Sequence, residues 1–165
     1  MLGNYLGEAF LKGVIGELNQ TQVSQAYLVL LTGEPVVTVN SSNVVTGIDY
    51  STYEPTIGTN NYAREQIGST SSGFTDVFDV SIKYNTANKY YYTSNVRQIK
   101  FNKASGTWTA NSSSSITHFA ISNAPTGGQI LAWGELTTPI TVQANMSANV
   151  EVGQAVLRLY GEVTA

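Results

Sequence analysis

The chain has 165 residues, the size of one domain able to withdraw roughly 70% of its unfolded surface from water. Hydrophobic residues make up 42% and charged residues 12%, about half the usual charged fraction near 25%. With a net charge of −3, eight scattered Lys and Arg and no cysteine, the sequence has no basic stripe for a nucleic-acid backbone and excludes disulfides and thiolate metal sites.

Residues 1–16 lack the basic start, apolar run and cleavage site of a secretion signal, and no apolar stretch approaches the ~20 residues of a membrane span. What they carry is a helical period. Leu2, Leu6, Phe10 and Val14 recur every four residues, with Tyr5, Ala9 and Leu18 near the same face. Asn4 can cap the start, and Gly13 and Gly16 weaken the end, which falls near Gly16. A helix of about 12 residues is marginal alone in water, so the stripe must pack on this domain or on a neighbouring subunit. The expected organisation is an N-terminal helical arm over residues 1–18 and a β-sandwich over residues 19–165.

From residue 26 the pattern changes to short β-type runs separated by turn residues, as in sandwiches and barrels. Residues 26–32 read as a fully buried strand because Tyr27, Leu28, Val29, Leu30 and Leu31 are continuously apolar. The long polar stretch 33–49 reads as a surface excursion. Residues 46–52, 62–68 and 74–82 are weaker strand candidates. In residues 96–102, Ile99 and Phe101 fall on one face and Gln98 and Lys100 on the other, a half-exposed strand. Residues 116–122 and 129–136 form a hairpin across Asn123, Ala124, Pro125, Thr126, Gly127 and Gly128, a run that presets or permits turn dihedrals. Strands at 140–143, 150–152 and 155–160 complete the series, eight or nine strands once one or two of the weaker candidates are discounted. The predicted fold is mainly β, a jelly-roll-like antiparallel sandwich preceded by one short α-helix.

No constellation for chemistry emerges, and no cofactor or metal is expected. His118 is the single histidine and lies in a predicted strand among core-like neighbours, Phe119 and Ile121. No G-x-S-x-G motif exposes a serine, and no glycine-rich phosphate loop is present. Asp76 and Asp79, three apart in a predicted strand, would face opposite sides. Four N-x-[S/T] sequons, at Asn19, Asn40, Asn111 and Asn145, are the chance yield of a chain rich in Asn, Ser and Thr. The most aromatic part of the chain is Tyr90, Tyr91 and Tyr92 with Tyr84 and Trp108 nearby. It suits a protein interface, the filling of the sandwich, or stacking on sugars.

Several segments together resemble small phage structural proteins often labelled tail fibre proteins, and are similar to jelly-roll proteins that cement or decorate capsids. They are Asn4-Tyr5-Leu6-Gly7-Glu8-Ala9-Phe10-Leu11, Ala26-Tyr27-Leu28-Val29-Leu30-Leu31-Thr32, Asn61-Tyr62-Ala63-Arg64, Ile116-Thr117-His118-Phe119-Ala120-Ile121, and Ile130-Leu131-Ala132-Trp133-Gly134-Glu135-Leu136-Thr137-Thr138-Pro139. Residues 33–62 and 84–115 are longer than that family pattern. The resemblance implies a non-enzymatic virion component assembled in the host cytoplasm, and transfers no catalytic residue. The leading expectation is a capsid cement or decoration protein, a homotrimer that binds the major capsid protein and other virion subunits. The alternative is a tail or tail-fibre protein that contacts host glycans. Leu2, Tyr5, Leu6, Phe10, Tyr90, Tyr91, Tyr92 and Trp108 are the candidate interface residues; neither nucleic acid nor membrane is an expected partner.

Overall fold

A computed structural model describes residues 25–42, 45–69, 77–78, 83–88 and 90–160. The expected helix and arm of residues 1–18 lie outside these, as do Asp76, Asp79 and most of the strand expected over 74–82. Among the described residues there are eleven strands, no α-helix, and one short 3-10 turn at Thr59–Asn61.

The strands are β1 (Gln25–Leu31), β2 (Val36–Val39), β3 (Val45–Asp49), β4 (Glu65–Ser69), β5 (Lys83–Asn85), β6 (Tyr90–Ser94), β7 (Ile99–Lys103), β8 (Ser115–Ser122), β9 (Ile130–Thr141), β10 (Ser147–Val150) and β11 (Ala155–Tyr160). Seven form one sheet in the order β4-β1-β8-β9-β11-β6-β5, β10 pairs with β7, and β2 pairs with β3. All these pairings are antiparallel.

The continuous apolar run of β1 follows from its position. On one face Ala26, Leu28 and Leu30 join the main core; on the other, Val29 and Leu31 join a smaller cluster with Ala120, against which Tyr50, Tyr53, Ile130 and Trp133 pack. A strand covered on both sides cannot alternate with polar residues.

The main core lies between the large sheet and the β7–β10 pair. β7 places Ile99 and Phe101 inward with Lys100 exposed, and β10 adds Ala148 and Val150. Trp108, from the loop after β7, fills the centre at 1% exposure. Its ring meets Tyr62 edge-on at 5.1 Å and Phe101 at 6.1 Å. Its indole N–H, which would be costly to bury unpaired, donates to the Asn60 carbonyl at 2.9 Å.

Two strand readings change. Residues 130–141 form one strand where the sequence suggests two, because four residues of β9, 136–139, oppose the single residue Thr117 between the pairs His118↔Glu135 and Ile116↔Ile140. This bulge accommodates Pro139, which has no N–H to give to a ladder. The stretch 33–49, expected as a polar excursion, contains the β2–β3 hairpin, with Val36 and Val37 exposed.

The sheet has two distinct ends. Gln25 of β1, the loop joining β8 to β9, the start of β6 at Tyr90 and the end of β11 at Tyr160 share one end, since Tyr27 pairs with Ser122 and Tyr160 with Tyr90. The turns after β6 and β10 occupy the other, where the Asn95 amide donates to the Ala155 carbonyl at 3.2 Å and the Gly153 amide to the Asn95 carbonyl at 2.9 Å.

Candidate functional site

The tyrosine run becomes β6, and its alternation splits the residues between two faces. Tyr91 and Thr93 turn inward and are buried, whereas Tyr90 and Tyr92 are half-buried on the opposite face, their rings T-shaped at 5.8 Å. Tyr84 of β5 lies opposite Tyr91, rings 4.8 Å apart, and remains 38% exposed. Beside them on β11, Arg158 is the cross-strand neighbour of Tyr92 and its guanidinium lies 5.5 Å from the Tyr90 ring centroid. Arg158 also meets Glu135 of β9 at 3.3 Å, and Glu135 lies across from His118. Tyr90, Tyr92, Arg158 and Glu135 thus form one partly exposed aromatic and charged surface. Two candidate interface residues do not reach it. Trp108 is in the core, and Tyr91 is buried on the sheet's inner face. Leu2, Tyr5, Leu6 and Phe10 lie outside the described residues.

A second polar centre, formed by side chains distant in sequence, sits beneath the β8–β9 loop. The Arg64 side chain is 1% exposed and Glu54 8%, with Arg64 Nη2 2.8 Å from Glu54 Oε2 and Nε donating to Oε1 at 2.8 Å. This fork-on-carboxylate geometry is the strong form of an ion pair. Nη1 donates to the Ser122 hydroxyl at 2.9 Å and to the carbonyls of Ala124 and Gly127 at 2.8 and 2.7 Å. Tyr50 lies against the guanidinium at 5.5 Å from ring centroid to Cζ, and its hydroxyl donates to Gly127 O at 3.0 Å. Tyr62 completes the group: its hydroxyl accepts from the Leu30 amide and donates to Glu54 Oε1, both at 3.2 Å.

The electrostatics follow the packing. Burial works against the Arg64 charge, but hydrogen bonds and attraction from Glu54 and Tyr50 outweigh it and raise the guanidinium above its usual pKa. Burial, reinforced by the Glu54 charge, pushes the Tyr62 hydroxyl well above the ordinary tyrosine range. Arg64 is fixed as a cation, and Tyr62 as a neutral donor. Neither is arranged as a nucleophile or a proton relay.

His118 makes its nearest polar contact to its neighbour, Thr117 Oγ1 to Nδ1 at 2.9 Å. Among the described residues, no three His, Cys, Asp or Glu side chains gather as a metal site, and no helix is long and apolar enough to cross a membrane. The Arg64 centre escaped sequence reading because Glu54, Arg64 and the 122–128 segment meet only in the folded sheet. The available signal was Arg64 itself, the one Lys or Arg between Lys12 and Lys83, in the segment Asn61-Tyr62-Ala63-Arg64.

The described residues thus form a layered antiparallel β domain with a partly exposed aromatic surface and a braced loop. Residues 1–158 match the family model described as Podophage GP4 fiber I protein gp80, so the chain belongs to that family of phage fibre proteins, small structural proteins of the virion. No curated protein matches the chain.

Proposed function

We propose that the chain is a fibre component of the phage tail, acting by binding alone. The family match carries this reading, because it runs over residues 1–158 and so includes both the amphipathic arm and the β domain. In this reading the arm, with Leu2, Tyr5, Leu6 and Phe10, docks on neighbouring virion subunits, and the domain assembles as a trimer. Contact with host glycans falls to the half-buried rings of Tyr90 and Tyr92 beside Arg158, not to Tyr91 or Trp108; Tyr84 lies on the other face, against Tyr91. The jelly-roll reading is supported by the pairing of strands far apart in sequence, β1 with β8 and β6 with β11.

The cement reading remains the second proposal, favoured by the low charge of 12%. A surface with few charges loses little to desolvation when it meets a capsid lattice, and many small contacts add through multivalency. Cryo-electron microscopy of purified particles separates the two. Density for this chain in tail fibres supports the first; density confined to the head overturns it and supports cement.

A further inference from the structure

The loop joining β8 and β9, residues 123–129, is exposed along nearly its whole length, contains no charged or aromatic residue, and is nevertheless closely braced. From below, Arg64 Nη1 holds the carbonyls of Ala124 and Gly127 at 2.8 and 2.7 Å, and the Tyr50 hydroxyl reaches the Gly127 and Gly128 carbonyls at 3.0 and 3.3 Å. Across its neck, the Gln129 amide donates to Asn123 Oδ1 at 2.8 Å, and the Asn123 amide to the Gln129 carbonyl at 3.2 Å. Gly127 and Gly128 take positive φ of 58° and 75°, and a Cβ on Gly128 would lie 2.6 Å from the Ala124 Cβ.

A shorter turn would join these strands without burying a charge pair. Well-packed apolar residues in place of such a pair are often as stabilising or more so, so the Arg64–Glu54 centre accounts better for the loop's shape than for the domain's stability. A loop already fixed in shape loses little conformational freedom on binding. Its chemistry narrows the partner: with no cation it offers nothing to a phosphate or lipid headgroup, and with no ring it offers no platform to a sugar. Small side chains, Pro125 and accessible backbone suit close approach by a neutral protein surface. The loop also sits at the end of the sheet where the chain enters β1 and leaves β11, the end to which residues 1–24 connect.

We infer that loop 123–129 is a docking loop for a protein subunit of the particle, with Arg64 as its positioning residue. The inference rests on the chain being a virion component. The test uses phage carrying the full-length chain with Pro125→Asp or Thr126→Arg, both at exposed positions, and counts copies per particle by quantitative mass spectrometry. The expected result is about tenfold fewer copies, equivalent to about 1.4 kcal/mol of lost docking, with the Tm of the purified chain changed by no more than about 2 °C. Unchanged copy number overturns the inference. So does normal copy number with reduced host adsorption, which would turn the loop toward the host. Absence of the wild-type chain from particles would instead overturn the proposed function.

Arg64→Lys keeps the charge but loses the fork. It should speed exchange of the Ala124 and Gln129 amides, which donate to Ser122 Oγ and Asn123 Oδ1, while residues 119–121 stay protected, and lower the copy number. Ile116→Val, a core substitution away from the loop, serves as the stability control. If it lowers copy number as much as Arg64→Lys for the same fall in Tm, the positioning role is overturned.

Discussion

The two ends of the large sheet solve the same problem with different chemistry. At one, Arg64 gathers the carbonyls of the β8–β9 loop; at the other, Asn95 gathers two turns, its Nδ2 donating to the carbonyls of Arg97 and Glu151, both at 2.8 Å, while its Oδ1 accepts from the Ala155 amide at 3.0 Å. Both side chains are buried. The guanidinium has the longer reach and more donors, but its charge requires Glu54, and Glu54 in turn requires Tyr62 and the segment between them. The amide is neutral and needs no counterion. A charged brace therefore brings a counterion and that counterion's own supports with it, whereas a neutral one joins equally distant segments without either.

The largest expected effect comes from uncoupling the charged end. Arg64→Met leaves the Glu54 carboxylate buried without its cation and should cost about 3–5 kcal/mol in urea unfolding. Adding Glu54→Gln should return part of that loss, and strict additivity would break the idea that Glu54 is there to balance Arg64. Asn95→Ala, which abandons three backbone groups but no charge, should cost less, about 1–3 kcal/mol by the same measurement. An Asn95→Ala loss equal to that of Arg64→Met would erase the contrast between the ends.

A smaller, pH-dependent effect belongs to Glu65, next to Arg64. Burial raises its carboxyl above the ordinary glutamate range. Its neutral form is thus favoured in the fold, and its contribution to stability is present below about pH 4.5 and lost as pH rises through the higher folded value. Glu65→Gln should raise Tm at neutral pH, with the gain vanishing toward pH 4; a gain that grows on acidification would contradict this. The smallest effect is expected at the neutral end, where Val152 is 63% exposed. Val152→Ser should move stability by no more than about 0.5 kcal/mol, and a larger loss in thermal unfolding would mean that this turn contributes to the core.

The contrast between the ends also shows what the sequence could reveal. β1, the β8–β9 hairpin and the inward positions of Ile99 and Phe101 were legible because hydrophobic period and turn composition are local. For Trp108 the sequence left interface, sandwich filling and sugar stacking open, because its loop has no period and its burial depends on Tyr62 and Phe101 from other segments. The split of Tyr90 and Tyr92 from Tyr91 follows from strand alternation, but which face meets the core depends on the pairing with β11. β9 was divided in two because residues 136–139 leave the ladder opposite Thr117, an irregularity that only the pairing with β8 reveals. The Arg64 centre was the least visible, since the fit between Glu54 and Arg64 is created by the crossing of β1, β4 and β8.

The shared end at which the chain enters β1 and leaves β11 has a practical consequence for display of foreign peptides. A tag carried beyond Tyr160 leaves from the end where residues 1–24 also connect, and would compete with whatever binds there. An insert between Val152 and Gly153, where φ is already 78°, would project from the opposite end and leave the Arg64-braced loop untouched.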